Sequence, residues 1–140
     1  MAPEISLGGN FAYDVNGEFY STTKIYGYIK NDDVREGYKF WLGLFNSRLF
    51  WFFIQQTGYI LRGGYFTFKT NYVNPFPVPA EIPYDIVLSV EDLVSEIMET
   101  KKTSSQLLLS ELEKQIDEII YRLYDISDEE IQLINLTTSF

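Results

Sequence analysis

Alternating hydrophobic and polar positions near the start of the chain predict a β-hairpin. Phe11–Val15 and Glu18–Ile29 have the alternation of strands, and Asn16-Gly17 between them is a strong signal for a tight turn. One face of the second strand is largely apolar. The opposite face carries basic and aromatic side chains at Lys24, Tyr26, Tyr28 and Lys30. This face is a candidate for contact with a partner, and the alternative is an ordinary solvated sheet face.

The next pattern, from Glu36 to Gln56, predicts one buried helix. It is apolar almost all round, and its few polar positions recur every three or four residues as a narrow stripe. The apolar run is short and contains Lys39 and Arg48, so we expect no membrane span. Asn46 and Ser47 are expected to bond to the backbone and to position the loop that follows.

A second hairpin is predicted around Gly63-Gly64, because two glycines supply the positive φ angles of a two-residue turn. Its strands would be Gly58–Arg62 and Tyr65–Thr70. In that register the core-facing side chains are Tyr59, Leu61, Phe66 and Phe68. The outward-facing side chains are Arg62, Tyr65, Thr67 and Lys69. The hairpin therefore presents a short polar and basic edge.

The segment Asn71–Pro83 holds four of the five prolines and is expected to be an extended boundary. Beyond it, the pattern predicts a helix from Ser89 to about Lys101 and a second helix from Ser104 to Tyr124. The second has a coiled-coil-like apolar seam, at Leu109, Leu112, Ile116, Ile119, Leu123 and Ile126. Ser127 and Glu130 have the spacing of a capping box for a short last helix.

These elements predict an α+β fold, with a small, mainly antiparallel sheet packed on a buried helix and followed by a C-terminal helical hairpin. Residues 1–79 would form the α/β body and residues 80–140 the helical part of one structural unit. The abrupt start suggests a fragment of a larger enzyme.

The composition limits which metal sites and catalytic groups the chain can contain. The 140 residues contain no cysteine and no histidine, which excludes disulfides and thiolate metal sites and removes the commonest general base. Residues 1–79 have a net charge near +1, whereas residues 80–140 have a net charge near −10. The acidic total argues against binding nucleic acid through bulk charge, but it leaves room for a small basic edge on the neutral half. No signal-peptide pattern follows Met1, so we expect a cytoplasmic protein.

The order of three segments resembles a known family. "FYST" and "IYGYI" are followed by "YKFWLGLFNSRLFWFFIQQTGYILRGGYFTFKTNYVNPFPVP" and then by "LEKQIDEIIYRLYDISDEEIQLIN". This order is similar to the TaqI-like C-terminal specificity domain of adenine-specific DNA methyltransferases and of type IIG restriction–modification enzymes, once called type IIS. It also resembles target-recognition domains of type I specificity subunits. The likeness covers roughly residues 18–136.

The resemblance implies a bacterial or archaeal DNA sequence-recognition domain that contacts double-stranded DNA and the methyltransferase core of the same chain. S-adenosylmethionine and magnesium would belong to catalytic parts elsewhere, and no cofactor or metal is expected here. Asn74-Pro75-Phe76 lacks the second proline of the family's methyltransferase motif. The implied DNA-binding residues are Lys24, Tyr26, Lys30, Arg62, Gly63, Gly64, Tyr65, Thr67 and Lys69.

Two other functions compete with DNA recognition. The C-terminal helices could form a protein docking or weak dimerisation module without DNA readout. A small stand-alone enzyme is disfavoured, because the sequence lacks His, Cys and any nucleophile motif.

Overall fold

The structure, a computed structural model, describes residues 2–3, 5–6, 10–17, 25–103 and 105–138. Within these residues lie six helices: α1 (Tyr38–Phe45), α2 (Arg48–Thr57), α3 (Thr70–Val73), α4 (Tyr84–Lys101), α5 (Gln106–Leu123) and α6 (Asp128–Thr138). The same residues contain four strands of two residues each: β1 (Ala2–Pro3), β2 (Ile5–Ser6), β3 (Ile25–Tyr26) and β4 (Phe66–Thr67). The described part of the chain is therefore mainly helical.

The short strands pair two by two. β1 is antiparallel to β3, with Ala2 opposite Tyr26, and β2 is antiparallel to β4, with Ile5 opposite Thr67. Each pairing spans two residues, so within the described residues no sheet layer is available to cover a helix. The predicted α+β fold is wrong, because helices and not a sheet make up the body of the molecule.

The described residues of the first predicted hairpin contain a turn, and residues 18–24 lie outside the described part of the chain. The turn has Val15 and Asn16 at its centre, one residue earlier than predicted, because the Gly17 N–H donates to the Asp14 carbonyl at 3.3 Å; Gly17 has a φ of +64°. The strand predicted at Phe11–Val15 is absent, and β3 pairs with β1 instead. The predicted contact residue Lys24 lies outside the described residues.

Contacts of Phe11 explain why no strand forms there. The Asn46 side chain accepts a hydrogen bond from the Phe11 N–H at 2.9 Å and donates one to the Phe11 carbonyl at 3.0 Å. These are the backbone groups that a neighbouring strand would need. The Phe11 ring also stacks on Phe45, with 5.1 Å between ring centroids. Phe11 therefore lies in a loop, and its side chain packs against the core.

The helix predicted from Glu36 to Gln56 is two helices, because α1 ends at Phe45 and α2 begins at Arg48. Ser47 is the N-cap of α2, and its hydroxyl accepts a hydrogen bond from the Phe50 N–H at 3.3 Å. Asn46 and Ser47 thus bond to the backbone as expected, but they hold the earlier residue Phe11 and begin α2 and do not position a following loop. No helix in the described ranges is long and apolar enough to cross a membrane.

A core rich in aromatic residues joins the helices. Phe50, in α2, is fully buried and packs edge-on against Phe45 at 5.2 Å and Phe76 at 5.0 Å between ring centroids. α1 lies against α4, and the two helices approach closely at Gly43, where an added methyl group would lie 2.7 Å from Val90 Cγ1. α2 also contacts α5 and α6. The core therefore includes buried residues from both sides of the proline-rich segment.

The C-terminal helices follow the sequence pattern closely. α4 and α5 form the predicted helical hairpin, although α4 begins at Tyr84 and not at Ser89. Ser89 is inside the helix, where its hydroxyl donates to the Asp85 carbonyl at 2.8 Å. The capping box is confirmed, since the Glu130 N–H donates to Ser127 Oγ at 3.2 Å and the Ser127 N–H donates to Glu130 Oε1 at 2.9 Å.

Candidate nucleic-acid interface

The middle of the chain has a net positive charge because it lacks carboxylates. Residues 37–80 contain four Lys or Arg residues and no Asp or Glu, although the whole chain has a net charge of −9. Lys39 and Arg48 bond to other elements of the fold: Lys39 Nζ donates to Ser95 Oγ at 2.8 Å, and Arg48 contacts Asp117 on α5. Arg62 and Lys69 are exposed on the segment that follows α2. The exposed positive charges of this segment therefore lie in the second predicted hairpin.

The turn of this hairpin is formed, with φ of +84° at Gly63 and +83° at Gly64. The Leu61 N–H donates to the Tyr65 carbonyl at 2.6 Å, and the Gly64 N–H donates to the Leu61 carbonyl at 3.2 Å. The loop thus has three residues, 62–64, and not the two predicted. Both glycines have backbone conformations that L side chains rarely adopt, so the glycine pair determines where the chain turns.

We call residues 59–65 the hairpin tip. Arg62 is exposed there and makes no hydrogen bond or ion pair with the residues that the structure describes. Tyr59 and Ile60 are each 60% exposed and Tyr65 is 42% exposed. The hairpin tip therefore combines one guanidinium with two phenol rings and an aliphatic side chain, all accessible to a partner.

The predicted orientations of the Thr67 and Tyr59 side chains are wrong. Thr67, predicted to point outwards, is only 5% exposed, and its hydroxyl accepts a hydrogen bond from the Lys69 N–H at 3.4 Å. Tyr59, predicted to lie in the core, is exposed. Burial does not alternate here, because Phe66, Thr67 and Phe68 are all buried, at 8%, 5% and 1% exposure, so both faces of β4 are covered. Lys69 is exposed as predicted, at the N-cap of α3.

The predicted contact face of the first hairpin is engaged within the fold. Lys30 Nζ donates to the Val34 carbonyl at 3.2 Å and to the Glu36 carbonyl at 3.3 Å, and it lies 5.7 Å from the centroid of the Tyr38 ring. Tyr28 is half-buried and packs on Phe11. For Tyr26 the structure describes the backbone, as part of β3. Lys30 thus bonds within the loop between residues 30 and 36. Among the predicted DNA-binding residues, Arg62, Gly63, Gly64 and Tyr65 lie together in one turn.

A polar cluster that the sequence did not predict lies at the start of α2. The Arg48 N–H donates to Asp117 Oδ1 at 2.9 Å, and Arg48 Nε lies 3.9 Å from Asp117 Oδ2. Asn135 Oδ1, on α6, lies 3.5 Å from an Arg48 guanidinium nitrogen and 3.4 Å from the Tyr121 hydroxyl. Together with Phe11 and other residues, these side chains line an open groove of about 1310 Å³. The cluster ties α2 to α5 and α6.

Burial dominates the electrostatics of this cluster. Burial raises the pKa of Asp117 from 3.8 to about 6, against the opposing effects of the Arg48 N–H and the Arg48 charge, while Glu113 and Glu118 add a smaller rise. Burial, followed by the Asp117 charge, also raises the pKa of Tyr121 to about 12. No local sequence signal marks Asp117, because it is one of several carboxylates on an acidic helix and its partner is 69 residues away.

Candidate catalytic groups are sparse. The sequence has no His and no Cys. Among the residues that the structure describes, no group of three or more carboxylates is placed to hold a metal ion. Asp32 and Asp33 are exposed in a turn, where the Val34 N–H donates to the Asn31 carbonyl at 3.1 Å.

Comparison with protein-family models, with curated proteins and with solved structures found no match to this chain. The resemblance to the TaqI-like specificity domain therefore rests on the sequence segments quoted above. The candidate interface rests on the geometry of the hairpin tip.

Proposed function

We propose that this chain is a DNA sequence-recognition module of a bacterial restriction–modification enzyme, with or without a fused endonuclease. It would position an adenine-specific methyltransferase core, and the chemistry, with S-adenosylmethionine and magnesium, would belong to that enzyme's catalytic parts. One observation carries the proposal: Arg62 is exposed directly before the Gly-Gly pair of a formed turn, in a 44-residue stretch, 37–80, without a single carboxylate.

The chemistry of Arg62 suits this role. A guanidinium can donate two parallel hydrogen bonds to guanine O6 and N7 or can clamp a phosphate. Because Gly63 and Gly64 have no side chains, the backbone beside Arg62 can approach a groove closely. Lys69, at the N-cap of α3, adds a second cation on the same segment. These features support a contact with double-stranded DNA through the hairpin.

Charge also sets which side of the molecule would approach DNA. Residues 80–140 carry a net charge near −10, so their exposed helices would repel phosphates at distances within a Debye length of about 8 Å at physiological salt. The hairpin segment is the region without that repulsion. We therefore assign the helical hairpin a structural role and the hairpin tip the role of contacting DNA.

The test is selection of bound sequences from a pool of random duplexes at low salt, followed by titration of Arg62→Ala. Loss of a base contact would relax the preference at one position and cost about 1–3 kcal/mol. Loss of a phosphate contact would weaken every sequence equally and reduce the salt slope by about one. Arg122→Ala is the matched control, since Arg122 is an exposed arginine in the last turn of α5.

Two results would contradict the proposal. One is the absence of any duplex binding by the wild-type chain, both alone and in the full enzyme. The other is Arg62→Ala behaving like Arg122→Ala in affinity, salt dependence and sequence preference. The second result would leave DNA binding in place but would remove the hairpin tip from the interface.

A protein docking or dimerisation module is the second candidate. Exposed leucines on the acidic helices favour it: Leu107 is 86% exposed in α5, and Leu133 and Leu136 are 56% and 79% exposed in α6. Light scattering after size exclusion separates the two functions. A stable dimer that dissociates in Leu133→Ser, with no duplex binding, would support docking over DNA recognition.

A further inference from the structure

α6 is held to the rest of the molecule by a small contact. Two of its eleven residues are buried, Ile134 and Thr138. The helix packs on α2, where Gln55 Nε2 donates to the Thr137 carbonyl at 3.3 Å. Few buried side chains are typical of elements that open locally while the rest of a protein stays folded.

The connection between α5 and α6 is capped by its own residues. α5 ends in a Schellman motif, because the Ile126 N–H donates to the Tyr121 carbonyl at 2.9 Å. The Asp125 N–H donates to the Arg122 carbonyl at 3.1 Å, and Asp125 has a φ of +53°, a left-handed conformation that favours glycine. The capping box described above satisfies backbone donors at the start of α6. α6 can therefore leave α2 without losing the hydrogen bonds of residues 124–127.

One side of α6 lies beside a largely buried carboxylate. Asn135 Oδ1 accepts from Arg48 Nη1 at 3.5 Å and from the Tyr121 hydroxyl at 3.4 Å. Asp117 is one turn before Tyr121 on the same face of α5, and its side chain is 14% exposed. Arg48 Nε lies 3.9 Å from Asp117 Oδ2, which is at the outer limit of an ion pair. α6 therefore helps to keep water away from a weakly paired carboxylate.

The charges around Asp117 do not offset its burial. α2 supplies Arg48, and residues 131–138 of α6 contain no charged side chain. Other ionisable side chains on the walls of the groove are Glu113, Lys114, Glu118, Tyr121 and Arg122 on α5, Lys101 on α4 and Asp128 at the start of α6. Burial raises the pKa of Asp117 to about 6, against the effects of the Arg48 N–H and the Arg48 charge. The protonated carboxyl group therefore suits the closed arrangement better than the ionised one.

We propose that α6 is a pH-sensitive strap, which closes over the Arg48–Asp117 pair at mildly acidic pH and opens more often once Asp117 is ionised. This inference is independent of the proposed function. Opening admits water to the carboxylate and returns its pKa towards the ordinary value of 3.8. Opening therefore releases a proton between about pH 3.8 and pH 6, so rising pH favours the open form in that range. Above about pH 6 the effect stays constant.

The test is amide hydrogen exchange followed by NMR between pH 5 and pH 8, corrected for the intrinsic exchange rate at each pH. Amides of residues 131–137 should exchange faster than amides of residues 112–120 in α5, because they exchange through local opening. The opening constant of α6 should rise about 3- to 10-fold from pH 5 to pH 8, since release of one proton gives at most a factor of ten per pH unit. Asp117→Asn should remove this rise. Glu111→Gln, an exposed carboxylate on the same helix, should keep it.

An introduced cysteine gives a second measurement, because the chain has no cysteine of its own. Thr138→Cys places a thiol where the side chain is 3% exposed, and Leu107→Cys provides a reference that is 86% exposed. The ratio of their labelling rates at each pH corrects for ionisation of the thiol, and it should rise with pH by the same factor. Asn135→Ala should raise the ratio at every pH, because it removes the contact of α6 with Arg48 and Tyr121.

Three results would overturn the inference. Amides of α6 that exchange as slowly as those of α5 would show that the helix does not open separately. An opening constant that is independent of pH in the wild-type chain would show that α6 does not control the burial of Asp117. A rise that persists in Asp117→Asn would assign the pH dependence to another group. If Asp117→Asn does not fold, the wild-type profile still decides, and none of these results bears on duplex binding by the hairpin tip.

Discussion

Replacing Asp117 by asparagine should stabilise the protein at neutral and alkaline pH. Burial holds the pKa of Asp117 at about 6 instead of 3.8, so the folded protein takes up its proton more readily than the unfolded chain does. Its ionised form therefore opposes folding above about pH 6. At about 1.36 kcal/mol per pKa unit, the difference corresponds to roughly 3 kcal/mol as an upper limit.

Two contacts of Asp117 with Arg48 determine how much of this free energy of unfolding Asp117→Asn should gain. The asparagine carbonyl can still accept the Arg48 N–H, which now bonds to Asp117 Oδ1 at 2.9 Å. The charge interaction with Arg48 Nε, 3.9 Å from Oδ2, is lost. We expect a net gain of about 1–3 kcal/mol in the free energy of unfolding at about pH 8, because the desolvation cost exceeds the pairing energy.

The stability advantage of Asp117→Asn should depend on pH. For a carboxyl group whose pKa is raised on folding, stability falls as the pH rises from about 3.8 to about 6, and the full penalty remains above that range. The advantage of Asp117→Asn should therefore be largest near pH 8 and shrink towards zero near pH 4. Urea unfolding followed by far-UV circular dichroism at several pH values measures this difference. Glu111→Gln, an exposed carboxylate on the same helix, controls for the general effect of removing one negative charge.

A stability difference that is independent of pH, or a loss of stability in Asp117→Asn at pH 8, would refute this reasoning. Either result would mean that the pairing with Arg48 outweighs burial. The cluster would then be a net stabilising ion pair between α2 and α5.

Two further substitutions test the packing of the helices. Ser47→Ala should lower the free energy of unfolding by about 1–2 kcal/mol, because it removes the N-cap of α2 at a buried site. Urea midpoints would show this, and an unchanged midpoint would mean that water replaces the cap. Gly43→Ala should cost about 1–3 kcal/mol, since its methyl group would meet Val90 Cγ1 at 2.7 Å and force α1 away from α4. A variant as stable as wild type in the same assay would show that the helices separate easily.

Local signals in the sequence predicted the elements that depend on local chemistry. The capping box at Ser127 and Glu130 forms as its spacing requires. Leu109, Leu112 and Ile116 of the predicted seam are buried in α5, which contacts α4, although Ile120 and Tyr121 are buried in place of Ile119 and Leu123. The Gly63-Gly64 turn also forms, because its positive φ angles are a property of the residues themselves. For the same reason the position of Arg62 beside a turn follows from the sequence alone.

Elements that depend on long-range contacts could not be predicted. The alternation of residues 11–15 favoured a strand, but Asn46, 35 residues away, takes up the backbone groups of Phe11. The polar stripe from Glu36 onwards suggested one helix, yet the Ser47 hydroxyl caps α2 and ends the continuity. Thr67 is buried although the alternation predicted exposure, and it lies in β4, which pairs with β2 about 60 residues earlier in the chain. In each case a tertiary partner overrides a local preference.

The Arg48–Asp117 contact connects the acidic helix α5 to the helix that precedes the hairpin tip. The Arg48 N–H belongs to the first turn of α2, where backbone donors lack partners within the helix, and the Asp117 carboxylate fills one of these positions. α2 ends at Thr57, so the hairpin tip follows within two residues. The acidic half of the molecule thus anchors the start of the helix whose far end leads into the hairpin. This connection links the acidic helices to the helix that leads into the hairpin tip, whose own stretch of sequence, residues 37–80, contains no carboxylate.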